Sequence, residues 1–140
     1  MSVELIPLCN VSVQLKVPIM LFNTPVGARL VFEVESARIE GERLSGSMLG
    51  VAAADWLAMG PDGTGTLDVR FTFQTDDGAV VFVHYTGRTD LRGFPEPAPV
   101  YVAPLFETGD ERYAWLNRIQ ALGKGLLDGQ ALTYEWYELR

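Results

Sequence analysis

The chain has 140 residues, of which 48% are hydrophobic, and a formal net charge of −7. It is therefore the size of one domain and has enough apolar side chains to build a core of its own. The acidic balance argues against a nucleic-acid partner and an anionic membrane surface, because both require basic patches. We see neither a leader peptide nor an apolar stretch of roughly 20 residues that would span a bilayer, and we expect one cytoplasmic domain over residues 1–140.

The first half of the chain alternates apolar and polar side chains in short runs. Residues 11–17 predict a strand that ends at Pro18, since proline has no N–H to give to a ladder. Residues 18–27 contain two prolines and a glycine and are expected to form a loop. Its apolar cluster, residues 19–22, either folds over one end of the core or serves as a lid or dimer contact. Alternation resumes over residues 29–39 and changes phase near Ser36, which predicts a β-bulge.

Further short strands are predicted on both sides of a central hairpin. Residues 44–49 and 55–59 precede it, and residues 100–107, broken at Pro104, follow a proline-containing loop. Residues 112–124 are ambiguous, because the spacing of their leucine and isoleucine residues suits a helix while Tyr113 and Trp115 favour a strand. We assign a strand there. A turn at residues 128–129 and a strand over residues 130–139 close the chain.

The central hairpin is the stretch from Gly65 to Arg88, two alternating runs joined by an acidic turn. A three-residue loop with Gly78 in the left-handed conformation places Arg70 opposite His84 and leaves one continuous apolar face. A two-residue loop would mix apolar and polar side chains on both faces, so we predict the longer loop. The opposite face then carries a polar cluster: Asp68, Arg70, His84 and Arg88. The sequence leaves open which face points into the protein.

The pattern of elements indicates an all-β fold. Nine or so short strands are separated by turns roughly every 8 to 14 residues, which is typical of a sandwich or barrel. Because consecutive hairpins need no crossover helices, we predict an antiparallel up-and-down, lipocalin-like barrel of about 8–10 strands. Closing the barrel removes the exposed edge strands, and its interior can hold one small ligand.

Three stretches together resemble a known family. They are ADW at 54–56 with PDG at 61–63, LDVR at 67–70 with TDDGA at 75–79, and FETG at 106–109 with YAWLN at 113–117. The chain is similar, over roughly residues 5–138, to the uncharacterised domain-of-unknown-function family 3237 of small microbial proteins. The resemblance implies an antiparallel β-barrel without an established reaction. The family's motif positions fall on these residues: Asp55, Trp56, Asp68, Arg70, Glu107, Tyr113, Trp115 and Asn117. This chain departs from the family pattern at residues 50–54 and 89–100, so a shared substrate does not follow.

Several kinds of site have no counterpart in the sequence. His84 is the only histidine, so the multi-histidine sets that bind zinc or non-haem iron are absent. No calcium-loop spacing, phosphate-binding loop or dinucleotide fingerprint occurs. Cys9 has no histidine near it in sequence, and we interpret it as an inert thiol. We therefore expect neither a metal nor a cofactor.

The candidate catalytic residues are Asp55, Asp68, Arg70 and His84. If the polar face lines a pocket, Arg70 can bind a carboxylate or enolate through two hydrogen bonds. Either aspartate, once desolvated, can act as a general base, and His84 can transfer a proton. The candidate substrate-binding residues are Trp56, Arg88, Glu107, Tyr113, Trp115 and Asn117. In the alternative interpretation the polar face is solvated and the apolar face is the barrel interior.

The function predicted from these residues is that of a small-molecule-binding barrel. It would be a cofactor-independent lyase, isomerase or cyclase for an apolar or aromatic metabolite. The alternatives are a non-catalytic carrier or sensor of small hydrophobic ligands, and an interaction module that assembles through its apolar surfaces. We expect a homodimer, because the apolar residues exceed what one small core requires.

Overall fold

The computed structural model describes residues 1–140 and shows a closed antiparallel β-barrel, as predicted. No helix in it has the length and apolarity needed to cross a membrane. The elements are β1 (Leu5–Leu15), β2 (Ile19–Thr24), β3 (Gly27–Glu40), β4 (Gly46–Met48), β5 (Ala54–Met59), β6 (Thr64–Thr75), β7 (Val80–Asp90), β8 (Ala98–Val102), β9 (Leu105–Glu107), the 3₁₀ helix η1 (Glu111–Arg118), β10 (Ala121–Asp128) and β11 (Ala131–Leu139).

Eight strands form the barrel wall in the order β1-β3-β5-β6-β7-β8-β10-β11, and β11 pairs with β1 to close it. The order around the wall is the order along the chain, so the up-and-down topology is confirmed. Three short strands lie outside this circuit. β2 pairs with β3, β4 bridges β3 and β6, and β9 pairs with β7.

The β6–β7 hairpin has the predicted three-residue loop. Arg70 pairs with His84 and Phe71 pairs with Val83 across the two strands. Gly78 has a φ of 99°, the left-handed region in which glycine carries no steric penalty. The phase change near Ser36 is also confirmed, because the β1–β3 register shifts between Gln14 and Leu15 at that level.

The apolar face of the hairpin is the barrel interior. Each of its members is at most 3% exposed: Leu67, Val69, Phe71, Phe73, Val81, Val83 and Tyr85. Side chains alternate across a strand, so the polar face of the same hairpin is on the outside of the barrel. Of the two interpretations that the sequence allows, the structure therefore has the one with a solvated polar face.

The expected loop at residues 18–27 is wrong. Most of it is β2, which pairs with β3 at Ile19–Val31 and Leu21–Arg29. Proline lacks a backbone N–H, but Pro18 and Pro25 lie just outside the strand. All six residues of β2 therefore keep their hydrogen-bond donors. The cluster at 19–22 is exposed rather than folded over the core.

The strand assigned to residues 112–124 is also wrong in its first half. Residues 111–118 form the helix η1, and a strand begins only at Ala121. The Asp110 side chain accepts a hydrogen bond from the backbone N–H of Arg112 and caps the helix. Tyr113 and Trp115 are half-buried and pack on the core from the end of the barrel, where no strand partner is available.

Prediction: Gly123→Ala destabilises the protein by about 1–3 kcal/mol. A Cβ at Gly123 would lie 2.5 Å from Cδ1 of Trp136 and 2.8 Å from Cγ2 of Val102. Trp136 is 1% exposed and Val102 is 5% exposed, so neither side chain has free space to move into. Urea unfolding monitored by circular dichroism measures the change. The matched control is Gly109→Ala, since no atom lies within 4 Å of its Cβ. Equal stability of both variants would contradict the tight packing inferred here.

Candidate functional site

Asp55 is a carboxylate inside the barrel. It lies on β5 opposite Phe32 and Val69, both core residues, and is itself 7% exposed. Glu138, the other buried carboxylate, is bound by Arg43 and Arg140 at 2.6 Å. Asp55 has no such ion pair. One carboxylate oxygen, Oδ1, accepts a hydrogen bond of 3.0 Å from the backbone N–H of Asp68.

Burial raises the pKa of Asp55 from its ordinary value of 3.8 to about 7. The hydrogen bond from the Asp68 backbone and the more distant charge of Arg29 favour the ionised form, but they do not offset the loss of solvent. A carboxyl group that is neutral below pH 7 and ionised above it therefore faces the interior. Perturbed acids of this kind are typical of proton-transfer sites.

Three aromatic side chains form the interior beside Asp55. Tyr85 pairs with Val69, the strand neighbour of Asp55, and its ring centroid lies 5.7 Å from Tyr134 and 5.6 Å from Trp136. Burial raises the pKa of both tyrosines. The pKa of Tyr134 is raised further by its neighbour Tyr85, and the Asp55 charge makes a smaller contribution to each. We call Tyr85, Tyr134 and Trp136 the aromatic cluster.

Two enclosed polar atoms of the aromatic cluster are poorly satisfied. The Trp136 ring N–H has no hydrogen-bond partner, and the Tyr134 hydroxyl has none except the neighbouring Tyr85 hydroxyl. Buried donors are nearly always paired in native proteins, so the unpaired indole N–H is exceptional. A ligand oxygen would reach these two atoms only if the rings of the cluster moved, because the rings are in mutual contact.

The predicted catalytic residues other than Asp55 lie together on the outside of the barrel. Asp68 Oδ1 is 3.0 Å from His84 Nε2 across the β6–β7 pair. The Arg70 guanidinium lies 5.0 Å from the ring centroid of Trp56, which is 37% exposed. These four residues share an open groove of about 710 Å³. We call it the outer groove.

Two of the arginines near the outer groove have protein partners, and Arg70 does not. Arg29 donates a 2.9 Å hydrogen bond to the Trp56 carbonyl. Arg88, a predicted substrate-binding residue, donates to the Thr66 hydroxyl at 3.0 Å and lines the adjoining groove. Only the Arg70 guanidinium is left without a hydrogen bond to protein, so its donors are free for an anion.

The FETG and YAWLN motifs meet at one end of the barrel. Asn117 on η1 accepts a hydrogen bond from the Thr108 N–H at 2.8 Å and donates to the Thr108 carbonyl at 2.9 Å. Glu107 is exposed on β9 opposite Phe82. The reciprocal pair of hydrogen bonds fixes the loop before η1 to the helix itself.

The same helix is tied to the rest of the barrel by three side chains. Tyr113 donates its hydroxyl to the carboxylate of Asp77 at 2.9 Å, in the β6–β7 turn. Trp115 lies 4.6 Å beneath the guanidinium of Arg43, and Leu116 is fully buried. Tyr113, Trp115 and Asn117 thus have structural contacts that explain their positions. Their predicted contact with a substrate stays a prediction.

The structure brings Asp68, Arg70, His84 and Trp56 together but puts the barrel wall between them and Asp55. The aromatic cluster was not among the residues predicted for the site. A signal for it exists in the alternation of residues 130–139, which places Tyr134 and Trp136 on one buried face. A tyrosine or tryptophan on an inward face carries a polar atom into the core, and that atom needs a partner.

Neither site contains a cluster of metal ligands or a reactive thiol. No three side chains among His, Cys, Asp and Glu gather closely enough to hold a metal ion. Cys9 is buried and free, and burial raises the pKa of its thiol to about 12. The thiol therefore stays protonated at neutral pH and is a poor nucleophile.

Two relatives are similar in sequence to about two thirds of the chain. A UPF0311 protein of Rhodopseudomonas palustris is 33% identical over 109 residues, which are 69% of this chain and 71% of that one. A hydroalkoxylation enzyme of Penicillium herquei is 36% identical over 85 residues, or 61% of this chain. The match spans 49% of the length of the fungal enzyme.

The fold has a close counterpart among solved structures. A β-barrel-like protein of Acinetobacter baumannii superimposes with a TM-score of 0.90 at 27% identity, over 100% of this chain and 98% of that one. The sequence model of the family described as protein of unknown function DUF3237 matches residues 3–139. The chain belongs to this family.

Proposed function

We propose that this protein is a cofactor-independent acid–base enzyme that cyclises or isomerises an apolar or aromatic metabolite, with Asp55 as its proton-transfer group. The observation that carries the proposal is the buried, unpaired carboxyl group of Asp55, whose pKa is raised to about 7 next to the aromatic cluster. The similarity to a fungal hydroalkoxylation enzyme supports this class of reaction.

A carboxyl group with a pKa near 7 is suited both to accepting a proton from the substrate and to donating one to it. At neutral pH its ionised and neutral forms are both populated, so it can take a proton from one atom and return one to another. The surrounding apolar side chains exclude water, which strengthens electrostatic interactions at the site. An ordinary aspartate, with a pKa of 3.8, would be a weak base and almost never an acid at pH 7.

Addition of a hydroxyl group across an activated carbon–carbon double bond fits these residues. The ionised carboxylate of Asp55 removes the hydroxyl proton as the oxygen attacks one alkene carbon, and the neutral acid then delivers that proton to the other carbon. No atom is gained or lost, and no oxidant or cofactor is needed. The unpaired Trp136 N–H, together with the Tyr134 hydroxyl once it is released from Tyr85, would stabilise the negative charge that develops on a conjugated carbonyl oxygen.

The outer groove is a second candidate site, for an aromatic carboxylate. Arg70 has free donors above the exposed ring of Trp56, and the Asp68–His84 pair lies beside it. A planar anion can accept two hydrogen bonds from the guanidinium and stack on the indole. The protein as a whole is acidic, so this local excess of arginine is a distinguishing feature of the groove.

Prediction: Asp55→Asn lowers the rate of ring closure by about 10²–10⁴-fold, the usual contribution of general acid–base catalysis. The probe is 2′-hydroxychalcone, a phenol that closes onto a conjugated alkene, and product is measured by chromatography. In D₂O the product should carry one carbon-bound deuterium. Asp128→Asn, on the exposed outer surface, is the matched control and should retain full activity. Full activity of Asp55→Asn would refute the catalytic role, and saturable binding of the probe without turnover in the parent would favour a carrier.

Prediction: the pH dependence of stability changes in Asp55→Asn. The folded-state pKa of about 7 lies above the ordinary 3.8, so folding takes up a proton between these values. The contribution of Asp55 to stability is thus fully present below about pH 4 and is lost as pH rises to 7, by about 1.4 kcal/mol per pH unit. Between pH 5 and pH 8 the parent should lose about 2–3 kcal/mol more than Asp55→Asn in urea unfolding. Parallel profiles would contradict the raised pKa.

Prediction: Arg70→Ala weakens binding of cinnamate, the probe for the outer groove, by roughly 10- to 100-fold, the effect of losing hydrogen bonds to a charged group. Binding is measured by isothermal titration calorimetry at low salt. Arg118→Ala is the control, because Arg118 is exposed at the end of η1, away from the groove. Equal affinity of the parent and the Arg70→Ala variant would exclude the outer groove as the site.

A further inference from the structure

Strand β2 has one unpaired edge. Its residues Ile19, Met20 and Leu21 pair with β3, and no strand lies along the other side. An unpaired edge presents a row of backbone N–H and C=O groups that can accept another strand. In the barrel wall itself every strand has neighbours on both sides, so β2 is the longest strand with a free edge.

The side chains of β2 are apolar and exposed on both of its faces. The exposed fractions are 55% for Ile19, 44% for Met20, 46% for Leu21 and 63% for Phe22. Successive residues of a strand point to opposite faces, so the core covers neither side of this strand. A contiguous apolar surface of this kind is uncommon on a monomer and marks an interaction site.

The outward face of β2 continues across the neighbouring strands. Ile19 pairs with Val31 on β3, and Val31 pairs with Trp56 on β5. Paired residues lie on the same face of a sheet, so the three side chains form one row that ends at the exposed indole. The apolar surface therefore extends from the free edge to the outer groove.

The occupant that fits this edge is a second copy of the chain. Residues 17–28 contain no charged side chain, whereas the whole protein carries a net charge of −7. Two copies repel each other over most of their surfaces but not along this segment. In antiparallel pairing of β2 with its copy, the free N–H groups of each strand donate to C=O groups of the other. The contact uses the same edge on both molecules.

The regular part of β2, Ile19–Leu21, lacks the features that normally protect an edge strand. Natural edges are blunted by lysine, proline or a bulge, and Ile19–Thr24 contains no charged residue or proline, while its one register irregularity lies beyond Leu21, where Asn23 has a φ of 57°. Pro18 and Pro25 flank the six residues and prevent the ladder from extending beyond them. The pairing is thus confined to one short segment.

We infer that the protein forms a two-fold dimer in which β2 of one copy pairs antiparallel with β2 of the other. The sheet then runs without interruption from β5, β3 and β2 of one protomer into the same strands of its partner. Because each copy uses its single β2 edge, the contact closes at two and does not propagate into a filament. This inference does not depend on the role of Asp55.

The first test is the mass of the full chain in solution, measured by sedimentation equilibrium. The parent should be a dimer, and Leu21→Lys should raise the dimer dissociation constant at least roughly 30-fold, as for a central interface residue. Val51→Lys is the matched control, because Val51 is 91% exposed on the loop before β5. Circular dichroism checks that both variants fold. A parent that stays monomeric at all concentrations overturns the inference.

The second test distinguishes this dimer from one formed elsewhere on the surface. Cysteine is introduced as Met20→Cys or Leu21→Cys, with Cys9→Ser removing the native thiol. In antiparallel pairing about a two-fold axis near Met20 and Leu21, the register decides which positions of the two copies face each other: 20 with 20, 20 with 21, or 21 with 21. At least one of the variants, alone or mixed, should therefore form a covalent dimer on mild oxidation. Val51→Cys should not. A dimer that is insensitive to Leu21→Lys and shows no cross-link at either position also overturns the inference.

Discussion

Closure of the barrel is the constraint on which the other features of the molecule depend. Once β11 pairs with β1, every strand of the wall has one face toward a shared interior and one toward the outside. The register of the β6–β7 hairpin then decides the environment of all its residues at once. A shift of one residue would exchange Phe71 with Arg70 between core and solvent, at a cost that no turn conformation could offset.

The fold could be predicted largely because its signals are local. Alternation along 65–88, the acidic turn with Gly78, and the phase change near Ser36 each report on a few neighbouring residues. The errors arose where distant partners decide the structure. Residues 19–24 are a strand because β3 extends beyond the end of β1 and offers them a free edge. Residues 111–118 are helical because the end of the barrel provides an apolar surface to cover and no strand to pair with.

The candidate site could be predicted only in part, for a related reason. The sequence predicts that the pKa of Asp55 or Asp68 rises if that aspartate is desolvated, and both are positions of the family motif, but it does not distinguish the two; only Asp55 is buried. The separation of Asp55 from Asp68, Arg70 and His84 could not be predicted, because side-chain direction depends on which face of the hairpin turns inward. Alternation over residues 130–139 places Tyr134 and Trp136 on one face of the last strand, but only the packed structure shows that the Trp136 N–H lacks a partner. Buried polar groups without partners are a property of the assembled interior and have no sequence signature.

The hydrogen bonds of η1 also bear on how members of the family are compared. Asn117 holds the Thr108 backbone, and Tyr113 holds the turn of the longest hairpin through Asp77. The FETG and YAWLN motifs therefore hold the helix that packs on one end of the barrel. Sharing these motifs thus indicates a shared helix and hairpin contact, and does not by itself indicate the same residues at the inward positions of β5 and β11. If Asp55 is the proton-transfer group, the residues that face it are the ones to compare when relatives are grouped by reaction.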